Sequence, residues 1–519
     1  MSPLFRYVPI GLFSALVIGS ILIAASGPAP QLIFPADTAN YLDGTYRLFL
    51  RQELGGAFSS PIGPAAYIPT VIATHLIGPE AKALAFGAAI ANALFGLFSW
   101  RVAITRMHVV PAALFTLLVA NTASASYTLD FGSWNILSYG MLYNRYAWAI
   151  CMTAAAAAIL PDRTKQKPLL AGAGWGTSAS LLALIKPNYL VIFGLFYAVS
   201  LWTSPRRLSF LLATLTGTAL SLPVIYSLTP FSLSGYIHTL FGMAHGAPAD
   251  LLRYTLVRSL QENLLPLTLL FSVCLIMAHH KQLPHLTFVF ITASTFATFL
   301  ANTTNCQFSE IPLWGAFACI CLQPLLDAKP SSTRTFACLV LLGLAFAFIW
   351  KPIASTLYIP VRSVFRSSSS KREVSITTPS LRALPMLPMP GQLPSVAGPL
   401  EIPANFALWL SDGIRLLTPY LEPDTRILCL DWNNPFPFAP VSIPPPHDCI
   451  AWHYGRTHSD QHHPDPALLL QTADIVMEPH RSLQPESLEF KRRLFGPGLY
   501  KSFFMAAESN HWRLWMRKK

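Results

Sequence analysis

The chain has 519 residues, a formal net charge of +12 and a mean hydropathy of +0.45, with only 12% charged residues. These values exclude a soluble enzyme. They do not indicate nucleic acid either, because membrane proteins collect Lys and Arg in their cytoplasmic loops.

A basic Arg6 precedes the apolar run Tyr7–Ala25, which ends in Ala24-Ala25-Ser26. That pattern resembles a signal peptide, but the run is longer than the roughly 7–15 residues of a cleavable core, so it reads as a retained helix. Further apolar spans fall near 80–100, 109–126, 146–160, 169–185, 188–202, 208–228, 264–279, 285–301, 312–326 and 335–356. With the first they make about eleven. Crossing a bilayer takes roughly 20 apolar residues, and backbone groups in lipid must be satisfied within the span, so these should be helices. A shorter piece, 62–77, is interrupted by Pro61, Pro64 and Pro69 and reads as a half-helix lying in the interface or a bent part of the second span.

With the N-terminus placed in the cytoplasm, the connections on that side hold Arg101, Arg106, Arg163, Lys165, Lys167, Arg206, Arg207, Lys281, Lys329 and Arg334. The opposite loops are longer and hold Asp37, Asp43, Glu53, Asp130, Asp250, Glu262 and Glu310. This is the positive-inside bias, and an odd span count puts the C-terminus outside too. Binding residues concentrate on loops carried by a rigid scaffold. A transporter more often breaks helices near the midplane in two related halves, and no such repeat is visible here. The asymmetry favours an enzyme at the outer leaflet.

The division expected is a membrane domain over 1–356, a Pro/Ser-rich linker over 357–400 and a soluble α/β domain over 401–519. The linker composition favours extended chain with little packing. Beyond it, apolar residues at helical spacing predict a helix over 404–421. Arg426–Trp432 and Ala473–Pro479 read as buried strands, and 500–507 with 511–517 as a hairpin. Gly496-Pro-Gly498 reads as a turn, not a phosphate loop. Cys429 and Cys449 could pair if that domain is extracytoplasmic. The stretch His453–His463 matches no metal-ligand spacing and reads as an exposed loop, so no metal site is assigned.

Several polar residues lie at the outer ends of the spans. Asp37 suits a general base, since a carboxylate in a dry site gains basicity; equally, Asp accepts from orphan amides and could cap the following helix. Asp43 faces water or pairs with Arg47, one turn on. Arg145, in Tyr143-Asn144-Arg145, could grip a phosphate or anchor an aromatic belt with Tyr139, Tyr146 and Trp148. Lys186, in Lys186-Pro187-Asn188, sits where a cation needs a partner: a lipid phosphate, a carboxylate such as Asp37, or water reached by snorkelling. His238, His245, Arg253 and Arg258 are wet loop residues or together add positive field. The segment Asn302–Glu310 suits sugar recognition or is ordinary loop.

Phe34-Pro-Ala-Asp37 after the first span, Tyr143-Asn144-Arg145, Leu184-Ile-Lys186-Pro187-Asn188, the late polar loop Asn305–Glu310 and a soluble domain after the last span together resemble the GT-C superfamily of polytopic glycosyltransferases. The resemblance covers about 350 residues. It implies an α-helical polytopic enzyme that moves a sugar, with inversion, from a polyprenyl-phosphate donor to an acceptor hydroxyl on an envelope glycan, lipid or protein, in a bacterial inner membrane with the C-terminal domain periplasmic. It gives Asp37 the role of base, and Lys186 and Arg145, with His238 and His245, the donor phosphate. Asp43, Tyr143, Asn144, Asn188, Asn305, Gln307 and Glu310 become substrate contacts. Asp37 lacks the adjacent acid of some members, which favours chemistry without a divalent metal. Two other readings stay open: a transporter or flippase of lipid-linked glycans, and a non-catalytic membrane scaffold.

Overall fold

The fold is described from a computed structural model, which covers residues 7–127, 136–163, 168–244, 249–304, 311–365, parts of 374–386, and 400–518 apart from 401, 440–441 and 483. The first helices are α1 (Val8–Ser26), α2 (Pro35–Phe49), α3 (Ile68–Ile77), α4 (Lys82–Ala103), α5 (Val109–Ser124), α6 (Leu142–Ile159) and α7 (Pro168–Ile185). Seven more follow: α8 (Leu190–Thr203), α9 (Arg207–Leu228), α10 (Leu233–Ala244), α11 (Ala249–His279), α12 (His285–Thr304), α13 (Leu313–Asp327) and α14 (Ser332–Phe365). A two-residue strand, β1 (Phe58–Ser59), interrupts the loop between α2 and α3.

Among the described residues, five helices are long and apolar enough to cross a membrane: Val8–Ser26, Lys82–Ala103, Arg207–Leu228, Leu252–His279 and Ser332–Ile359. Six shorter apolar helices accompany them, the interrupted piece Pro64–Ile77 among them. Large apolar side chains such as Val17, Leu97, Leu215, Phe296 and Phe346 stay exposed on the helix surfaces, as helices facing lipid require. Inside, small residues bring backbones close: a Cβ on Gly176 of α7 would lie 1.9 Å from the Thr214 carbonyl oxygen of α9. The stretch 229–263 holds α10 and the first half of α11.

The C-terminal part is the small α/β unit that the sequence indicates. Helix α15 (Pro403–Leu417) leads to β4 (Ile427–Cys429), β5 (Asp448–Cys449), α16 (Pro466–Thr472), β6 (Ile475–Pro479), α17 (Pro485–Ser502), β7 (Phe503–Glu508) and β8 (Trp512–Arg517), after a short ladder of β2 (Val374–Ser375) and β3 (Pro385–Met386). The sheet order is β4-β6-β8-β7, with β4 and β6 parallel and the rest antiparallel. Because strand side chains alternate in direction, Ile427, Cys429, Ile475 and Met477 meet α15, while Leu428, Leu430 and Val476 meet α16 and α17. The α15 face belongs to the same apolar cluster as the membrane helices.

Three expectations change. Gly496-Pro-Gly498 lies inside α17, not in a turn; burial of Phe495 and Leu499 against the sheet outweighs the poor helix propensity of Gly and Pro. The linker is partly packed: Ile376, Leu381, Leu384 and Met386 are buried, Ala81 N–H donates to Ser380 O at 2.7 Å, and α14 runs to Phe365. Cys429 and Cys449 are separate buried thiols, with Lys491 Nζ donating to the Cys429 carbonyl at 2.9 Å.

Candidate functional site

Helix α2 begins at a left-handed Phe34 (φ 52°), with Pro35 at its first position and no side-chain cap. Asp37 therefore sits in the first turn without capping the helix, and the helix dipole favours its charge there. The start of α2 is pinned by a buried relay: Thr38 Oγ1 donates to Gln31 Oε1 at 2.7 Å, and Tyr139 N–H donates to the same oxygen at 3.3 Å.

Opposite Asp37, α7 stops where Pro187 forbids continuation. Lys186 takes an extended backbone there and opens a 3-10 turn, Pro187–Tyr189. Its Nζ lies 4.5 Å from the centre of the Tyr143 ring. The loop after β1 lies directly on this helix end: Gly63 N–H donates to Ile185 O at 3.1 Å, and a Cβ on Gly63 would lie 2.1 Å from Leu184 O.

Asp37, Lys186, Tyr143 and Asn188 share a cavity of about 460 Å³ with Asn40, one turn after Asp37. The C-terminal domain supplies one wall through Trp432, Ile450, Ala451, His453, Arg456 and Thr457. Burial pushes the Asp37 pKa up to about 6, against the opposing charges of Arg456 and Lys186. Burial, then the charge of Arg456, pulls His453 down to about 4. Among the described lining residues, Asp37 is thus a carboxylate at neutral pH and His453 an uncharged imidazole, with Arg456 and Lys186 beside them. Asn40 Oδ1 and Trp432 Nε1 are buried and find no hydrogen-bond partner among the described residues; both belong to residues lining the cavity and are suited to a polar ligand.

Other expected site residues lie elsewhere. Asp43 is turned away, paired with Arg47 Nε at 2.9 Å, and is 1% exposed. Arg145 is buried in α6 with its guanidinium 4.7 Å from the Tyr127 ring centre, and it does not line the cavity; nor does the buried Asn144 beside it. His238 of α10 packs its ring 5.5 Å from that of His462. His245, Asn305, Gln307 and Glu310 fall outside the described residues.

The sequence reading missed Arg456, His453, Thr457, Trp432 and Asn40. The stretch 453–463 is not an exposed loop: His458 stacks on Trp452 at 4.5 Å and His462 reaches α10. Its density of His, Arg and aromatic residues was the available signal, but nothing local says that this domain folds back onto the membrane part. Among the described residues no three His, Cys, Asp or Glu side chains group as metal ligands.

No family model and no curated protein matches this chain. Two solved structures of ArnT from Cupriavidus metallidurans do match it along nearly its whole length. The apo state aligns over 98% of this chain and 97% of that one, with a TM-score of 0.50 and 14% identity. The form bound to undecaprenyl phosphate aligns over 98% of each, with a TM-score of 0.49 and 13% identity. Such identities bear on the fold alone. The chain therefore shares the fold of the apo ArnT structure over nearly the whole of both chains.

Proposed function

We propose that the protein is a membrane glycosyltransferase that moves a sugar from a polyprenyl-phosphate donor to an acceptor hydroxyl at the outer leaflet. The observation that carries this reading is the enclosure of Asp37 in one cavity with Lys186. The acceptor oxygen attacks the anomeric carbon as Asp37 takes its proton, and the bond to the lipid phosphate breaks on the opposite side, inverting the centre. A base whose pKa lies near the working pH is effective in this step. Lys186 stabilises the charge that develops on the departing phosphate, and stabilisation of this kind usually lowers the barrier more than any other single effect. Asn40, Asn188 and Tyr143 stand where sugar hydroxyls would be read.

The test is a mass-spectrometric comparison of envelope glycans from cells with the wild-type gene, with Asp37→Asn, and without the gene. A glycan lost equally in the last two, with the variant protein present in the membrane, supports the reading. An unchanged glycan profile in all three would refute it.

A further inference from the structure

We infer that Arg456, carried by the C-terminal domain, is a direct ligand of the donor phosphate, so that the site is complete only when that domain is docked. The inference rests on the reading above and assigns a residue that lies far outside the membrane helices in sequence.

Three observations carry it. First, Arg456 and Lys186 line the same cavity, in which Asp37 is the single carboxylate among the described lining residues. No described carboxylate lies within ion-pair distance of the Arg456 guanidinium, whose planar fork matches phosphate oxygens in pairs.

Second, the backbone that carries Arg456 is held by a closed set of hydrogen bonds. Arg456 N–H and Thr457 N–H both donate to the His453 carbonyl, at 3.1 and 2.8 Å. His453 N–H donates to Thr457 Oγ1 at 2.8 Å, and that hydroxyl donates to Ala451 O at 2.7 Å. Gly455 supplies the left-handed residue (φ 75°) that closes the turn. A rigid turn limits where its cation can reach, which favours stabilising a charge that develops in one place.

Third, the domain is registered on the helix that carries Asp37. Asn433 Nδ2 donates to the carbonyl of Ala36, the residue before Asp37, at 3.3 Å. Strand β5 pairs in parallel with β1, Phe58 opposite Asp448. Arg47 of α2 donates to Pro445 O at 3.0 Å.

The experiment measures binding of a polyprenyl phosphate, the same polyprenol without phosphate, and inorganic phosphate to the full-length protein in nanodiscs. Wild type is expected to prefer the phosphorylated lipid to both. Arg456→Gln should weaken that lipid tenfold or more and leave the polyprenol unchanged, Arg456→Lys should recover part of the loss, and Asp37→Asn should still bind. If wild type discriminates but Arg456→Gln binds the phosphorylated lipid equally well, the inference is overturned while the proposed function stands. If wild type does not distinguish the phosphorylated lipid from the polyprenol, the proposed function falls and this inference with it.

Discussion

Arg47 donates to Asp448 at 3.3 Å across 401 positions of sequence, with both side chains sealed from solvent. The same guanidinium holds Asp43 at 2.9 Å. One cation thus ties the first loop of the membrane part to the C-terminal domain. Asp448 Oδ1 continues the chain of contacts by accepting from Trp452 Nε1 at 2.9 Å, next to the turn that carries Arg456.

Removing one member of a buried ionic group strands the others and typically costs about 3–5 kcal/mol. Arg47→Met should be worse than Asp448→Asn, because it leaves two buried carboxylates without their cation. Both should expose the C-terminal domain to limited proteolysis while the membrane helices stay folded. Equal protease resistance in wild type and Arg47→Met would rule out the clamp.

Transfer should depend on pH with an acid limb near 6, where Asp37 ionises. Below it the base is protonated and the rate falls; above it the rate reaches a plateau. Because Arg456 and Lys186 favour the ionised form, Arg456→Gln should move the limb to higher pH. A limb that stays in place in the variant would mean that this cation does not act on Asp37.

Stability should follow the same group. The folded pKa of Asp37, about 6, lies above its ordinary 3.8. Its contribution is therefore fully present below pH 4 and is lost as pH rises through 6. The melting temperature of Asp37→Asn relative to wild type should accordingly rise between about pH 4 and 6 and level off above. A flat difference across that window would show that the carboxyl is not desolvated.

Lys186→Met should lower turnover by about 10²–10³-fold if Lys186 stabilises the leaving phosphate. Arg145→Met should instead show itself as lost expression or thermal stability, since Arg145 lies in the helix core and off the cavity. Single-turnover rates and melting curves of the two variants separate the roles.

Gly63→Ala should damage the site without touching a polar group. Its Cβ would fall 2.1 Å from Leu184 O, so the helix end before Lys186 must shift. Overpacking of this kind costs about 1–3 kcal/mol. The expected result is a lower melting temperature and a larger fractional loss of donor affinity than of expression.

Much of this was legible in the chain, for physical reasons. Apolar runs report lipid and core directly, so Val8–Ser26 and Lys82–Ala103 fall where periodicity and length place them. Asp37 and Lys186 stood out because charge beside an apolar span needs a reason. The wall made by His453, Arg456 and Trp432 was not legible, because it depends on two segments meeting at a distance that no local pattern encodes. Arg145 was ambiguous for the opposite reason. A cation near a span end reads the same whether it faces a ligand or, as here, lies over Tyr127 inside the bundle.

The parallel pairing of Phe58–Ser59 with Asp448–Cys449 has an implication for synthesis. A ribosome delivers the second partner only about 390 residues after the first. Until then the nascent helices can insert and pack, yet the chamber has no roof and Arg47 must remain hydrated. A chain halted between the two should be a stable but empty membrane bundle, so any activity proposed for the chamber would wait for the C-terminal domain.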